Sequence, residues 1–190
     1  MIKASKQLYY ILLLIITLII SNNCFGQFDY NKYAKISEFS FESIFGAKKS
    51  EPNNTYTLLG TGFFRSPRSN NIDSLVNTWI KKHPSAVVTS VSSISPITTN
   101  NPNSKLIYCW VMQGSDTLNI YLVRNGACPG GTMLRPRTNS EEGKAESKDS
   151  DTRILIDKET YNDFIEKVKV AELYARNKKL GIWADLKNGD

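Results

Sequence analysis

Apolar residues in this chain change their spacing several times, and each change marks an element. Ile72, Leu75, Val76, Trp79 and Ile80 fall three and four apart, which predicts a one-face helix that His83-Pro84 ends. Tyr161, Phe164, Ile165, Val168, Ala171, Glu172 and Ala175 keep that spacing for longer. They predict a helix over 158–180, capped by Asp157 and stopped by Gly181. Elsewhere the period falls to two. Leu106, Tyr108, Trp110 and Met112 alternate with Ile107, Cys109 and Val111, so both faces are apolar and the segment reads as a doubly covered central strand. Tyr56 to Phe64 and Ala86 to Ile94 are also strand-like, giving a strand–helix–strand unit. Leu118 to Val123 fits either a hairpin arm or a short helix capped by Asp116 and stopped by Gly126.

The remaining stretches are less patterned. Residues 27–54 scatter Phe28, Tyr30, Tyr33, Phe39, Phe41 and Phe45 among polar neighbours, which suits an edge strand and loop. Residues 135–153 are rich in Ser, Glu, Lys and Asp and read as a mobile loop. Ile154 to Ile156 then reads as a short strand before the last helix.

The first 26 residues read as an export signal. Lys3 and Lys6 precede an apolar run from Leu8 to Ile20, and Cys24-Phe25-Gly26 offers small residues before a cut ahead of Gln27. The run falls short of the roughly 20 apolar residues that a membrane span needs. The expectation is a bacterial exported protein, periplasmic or secreted, with lipid attachment at Cys24 as the alternative. That leaves a single domain over 27–190 with no transmembrane segment. Loss of Lys3 and Lys6 lowers the net charge from +6 to +4. Such an excess suits a polyanionic partner without requiring one.

Cysteine use follows from export. Cys109 and Cys128 remain, and an oxidising compartment favours a disulfide between them, closing a loop of about 20 residues worth roughly 3 kcal/mol. Two buried thiols are the other reading. Two cysteines and His83, the one histidine, cannot build an ordinary structural zinc site. His83 follows Lys81 and Lys82 at a helix end, where a cation relieves the helix dipole. Arg65 and Arg68 flank Ser66-Pro67 and suit either an anion grip or a solvated turn.

Two stretches carry a family resemblance. Ala171-Glu172-Leu173-Tyr174-Ala175-Arg176, followed by Lys179-Leu180-Gly181-Ile182-Trp183-Ala184-Asp185, resembles the close of the staphylococcal-nuclease-like (thermonuclease) domain. Leu118-Asn119-Ile120-Tyr121-Leu122-Val123-Arg124-Asn125-Gly126 resembles that family's V-N-x-x-L-V-x-x-G helix, so the resemblance favours a helix there. It spans Ser104 to Asp185, with an insertion around Arg135 to Arg153, and does not extend to the strand–helix–strand unit before it. It implies a divergent OB barrel within an α+β fold, with a mixed or antiparallel sheet and a long C-terminal helix. In that arrangement the helix packs back beside the central strand, which would let Cys109 approach Cys128.

The family hydrolyses nucleic acid with calcium held by aspartates, a glutamate acting on water, and arginines on the phosphate. Its D-G-D-T-like and D-T-P-E-like motifs do not occur here; Asp29, Glu38, Glu42, Glu51 and Asp73 stand isolated. Lys105, or Ser104, holds the place of one arginine, and lysine lacks the two-pronged grip. No catalytic residue is assigned, and no metal or cofactor is expected. Lys105, Arg124, Arg65 and Arg68 are the candidate phosphate-binding residues. The resemblance thus implies a non-catalytic module binding a partner or an anionic polymer such as nucleic acid. The alternative is a secreted calcium-dependent nuclease cleaving DNA or RNA phosphodiester bonds, with calcium its cofactor.

Overall fold

The computed structural model describes residues 33–62, 64–94, 101–131, 153–154 and 156–185, within the compact unit Tyr33–Asp190. The expected export signal and Cys24 lie outside the described residues, as does the expected loop 135–153 except for Arg153.

One N-terminal segment serves the sheet twice. β1 (Ala34–Lys35) pairs antiparallel with β5 (Val87–Ile94). A single 3-10 turn, Ile36–Glu38, then leads into β2 (Phe39–Glu42), which pairs with β3 (Phe45–Lys48). β3 pairs with β4 (Asn54–Leu58), and β4 runs parallel to β6 (Lys105–Gln113). The order is therefore β1-β5-β6-β4-β3-β2. Its two ends are neighbours in sequence, so this mixed sheet curls back on itself. Two short strands complete it: β7 (Asp116–Thr117) on β6 and β8 (Arg153–Ile154) on β5.

Between β4 and β5 lies α1 (Ile72–Lys82), which buries Ile72, Val76 and Trp79 as the spacing predicts. The strand expected to be doubly covered is so. Ile107, Cys109 and Val111 are buried on one face of β6, and register sets Ile107 beside Tyr56 and Cys109 beside Leu58. On its other face Trp110 meets Phe164 of the last helix, α3 (Lys158–Asn177), with ring centroids 4.7 Å apart. Phe41 fits under the sheet because Gly46 opposite it has no side chain; a Cβ there would strike the Phe41 ring.

The ambiguous segment is a helix, α2 (Leu118–Arg124). Its cap is Thr117, whose hydroxyl accepts from Ile120 N–H at 3.3 Å; Asp116 instead faces His83 at 3.5 Å. Asn119 is fully buried and fastens this helix to the sheet. Its amide donates to the carbonyls of Leu59 (2.8 Å) and Cys109 (3.0 Å), and its oxygen accepts from Val111 N–H (3.1 Å). α3 starts as expected, with Asp157 accepting from Thr160 N–H at 2.8 Å. It ends at Asn177, earlier than expected, and Lys179 (φ +51°) as well as Gly181 (φ +53°) takes the left-handed conformation.

Candidate binding site

The chain leaves β4 through Leu59-Gly60-Thr61-Gly62, and its course there is fixed by the segment that follows α2. Thr61 bridges Gly131, Gly62 N–H donates to the Gly131 carbonyl at 3.0 Å, and Ser69 N–H donates to the Ala127 carbonyl at 2.9 Å. These bonds hold residues 64–69 beside β3. Phe64 stacks on Phe45 there, with centroids 5.4 Å apart and planes 16° from parallel. Arg68 locks the pair: its Nη2 donates to the Phe64 carbonyl at 3.1 Å, and its guanidinium lies 5.1 Å from the Phe45 ring centroid. Phe64 stays 58 % exposed, and Arg65 beside it is exposed. The result is a solvent-exposed ring whose stacking partner carries the Arg68 guanidinium. Such a surface can stack a planar group and hold an anion at once.

Lys105 stands elsewhere. It pairs with Asn54 at the start of the parallel β4–β6 ladder, so about 13 Å of strand separates it from the end of β4 that leads to Arg65. It lines a polar depression of about 420 Å³ with Glu51, Asn53, Asn54 and Asn103. Glu51 is already engaged. Its oxygens accept from Lys48 Nζ (2.8 Å), Asn54 Nδ2 (2.7 Å) and Tyr56 Oη (2.7 Å). The Lys48 hydrogen bond above all holds its carboxyl down at about 2, against the opposing effect of partial burial. Burial and the bond to Glu51 push the Tyr56 phenol well above its ordinary value. This cluster fastens the β3–β4 turn. Among the described residues, no group of three or more His, Cys, Asp and Glu is placed to hold a metal ion.

Arg124 lies apart from both places. It ends α2 with its guanidinium 3.9 Å over the Tyr174 ring of α3. Of the four cations chosen from sequence, only Arg65 and Arg68 share a segment, and of these Arg68 is the one in contact with the aromatic pair. His83 stacks on Trp79 at 4.0 Å, and its Nδ1 sits 2.8 Å from the Trp79 carbonyl.

The expected Cys109–Cys128 bridge is not formed, and both cysteines are free and buried. Cys109 Sγ contacts the Thr57 carbonyl at 3.5 Å, on the face of β6 turned to β4. Cys128 lies beyond α2, where Arg68 and Glu172 act on it electrostatically. Burial raises both thiols, Cys128 to about 12.

No protein-family model matches the chain, and no curated protein matches it. Sequence reasoning found Arg65 and Arg68 but missed the aromatic pair that Arg68 touches. Phe64 closes a strand-like run and offers a faint signal; its stacking on Phe45 depends on tertiary packing.

Proposed function

We propose that this chain is an exported, non-catalytic, thermonuclease-like module that binds an anionic polymer, with single-stranded nucleic acid the polymer its surface suits. The observation that carries the reading is the exposed Phe64 ring stacked on Phe45, with the Arg68 guanidinium on Phe45 and Arg65 the next, exposed residue of the loop. Bases stack on such a ring without regard to sequence, while arginine meets the phosphate.

Connectivity supports an OB-type barrel. β2, β3 and β4 form a meander, α1 follows, and β5 and β6 return so that β6 lies parallel to β4. β1 then reaches across to β5, as a closing strand of such a barrel does. The resemblance that began at Ser104 is therefore compatible with the strand–helix–strand unit before it. Support for the non-catalytic reading comes from Glu51, the carboxylate beside Lys105, whose oxygens are taken up by three donors. Export rests on residues 1–26.

Fluorescence anisotropy with a labelled mixed-sequence DNA strand tests this reading. Binding should weaken with added salt and fall about tenfold in Phe64→Ala, the worth of one stacked base. Unchanged affinity in Phe64→Ala would refute the site. Cleavage of the strand with calcium, abolished by chelator, would refute the non-catalytic reading in favour of the nuclease.

A further inference from the structure

The described chain exposes four large hydrophobic side chains, and three of them share one flank of α3: Val170 (64 %), Leu173 (59 %) and Tyr174 (37 %). Their spacing of three and four residues makes one continuous strip. The flank borders a largely apolar groove of about 380 Å³ between α2 and α3, lined by Ile120, Arg124, Glu166, Lys167, Val170 and Ala171. On the adjoining side of α3, Glu172 and Arg176 pair at 2.9 Å, and Arg176 stacks on Trp183 at 3.9 Å. That side is satisfied within the chain; on the strip Arg124 covers the Tyr174 ring, while Val170 and Leu173 stay open to solvent.

One cation and one carboxylate on the strip are placed so that a second copy can match them. Arg124 lies over Tyr174, toward the C-terminal end of α3. Glu166 lies toward its N-terminal end, one oxygen bonded to Lys169 at 2.6 Å; together with Asp163 it is balanced there by Lys167 and Lys169. A two-fold contact must match a surface to itself. If two copies of α3 cross antiparallel at Val170, residues equally far from it on either side face one another. Tyr174 and Arg124 of one copy then meet Glu166 of the other. Leu173 meets Lys167, whose aliphatic stem can cover it. Apolar residues meet at the centre, and Arg124 meets Glu166 at both ends.

We propose that this flank of α3 binds a second copy of the same chain, forming a weak two-fold dimer centred on Val170. The contact is small, below the roughly 1,200 Å² of a standard interface, so the dimer exchanges with monomer. It does not involve Phe64 or the polymer surface.

Sedimentation velocity over a wide concentration series, on the full chain and on the chain from Gln27 onward, tests the proposal. Both should move from monomer to dimer as concentration rises. Val170→Asp should abolish the dimer, and Arg124→Glu should weaken it at least fivefold. The double variant Arg124→Glu with Glu166→Arg should recover most of the loss, because the pairing is restored with its sign reversed. Thermal melts would verify that the variants fold, and Phe64→Ala should dimerise like the parent. A chain that stays monomeric throughout, a dimer present only with residues 1–26, or a double variant no better than Arg124→Glu would each overturn the proposal.

Discussion

Gly126 and Gly181 meet backbone to backbone. The Ile182 N–H donates to the Gly126 carbonyl at 2.9 Å, joining the end of α2 to the turn after α3. A Cβ on Gly126 would land on the Leu180 carbonyl, and one on Gly181 would land on the Gly126 carbonyl. Both residues also have positive φ, +65° and +53°. We predict that Gly126→Ala costs about 3 kcal/mol in urea unfolding, combining backbone strain with the clash. Gly114 is the control: its φ is +60° but nothing lies near its Cβ position, so Gly114→Ala should cost only about 1 kcal/mol. Equal costs would show that close approach is not the cause.

Asn119 supplies a second test. Replacing it with Leu keeps the branched shape, with somewhat bulkier methyls, but leaves the Val111 N–H and the Leu59 carbonyl without their side-chain partner. Each buried group so stranded costs about 1–3 kcal/mol, so Asn119→Leu should lose about 3 kcal/mol in denaturant unfolding. A loss under about 1 kcal/mol would mean that water replaces the amide.

The free thiols predict that reductant leaves the melting temperature unchanged. Native protein should resist alkylation, and both thiols should react once it unfolds. Alkali sharpens the point. Cys109, Cys128 and Tyr56 all have folded-state values raised by burial, while the unfolded groups ionise near 9 and 10. Stability is therefore intact below pH 9 and should fall as pH rises above it, by up to about 1.4 kcal/mol per pH unit for each group. A melting temperature that dropped with reductant at neutral pH would show a bridge instead.

Acid should act through Glu51. Its folded-state value is depressed to about 2 from an ordinary 4.5, so its contribution is full above about 4.5 and vanishes as pH falls toward 2. A third of the side chain meets solvent, which limits the contribution to about 1 kcal/mol. Glu51→Gln should thus be less stable than the parent at pH 7 and match it near pH 2. A gap that persisted at pH 2 would point to packing rather than charge.

Much of the helical part was legible in the sequence. α1 begins at Ile72 and ends at Lys82, with His83 its cap, because five apolar residues and a His-Pro pair say so, and Asp157 opens α3 with the bond its type suggests. β6 was equally plain, since a strand buried on both faces needs apolar residues on both. The first three strands were not. Each has at most four residues, too few to show a period, and their order depends on β1 and β5 meeting across fifty residues of chain. The candidate site shared that limit. Arginine marks itself in sequence, whereas the platform exists only because Phe45 and Phe64 come from opposite ends of β3 and β4's exit loop. For the cysteines, count and compartment argued for a bond that the placement of Cys109 against Thr57 does not provide.

The three-residue link between β1 and β2 gives the domain's beginning an unusual weight. A terminal strand on an open sheet can peel away and leave the rest standing, as frayed ends commonly do. Here the same short stretch stitches both margins, holding β5 through Ala34 and Lys35 and β3 through Phe39 to Glu42. Clipping the chain within Ile36–Glu38 would open two seams at once. A protease that reached this link would therefore dismantle the domain, whereas one that cut before Tyr33 would leave the stitching intact.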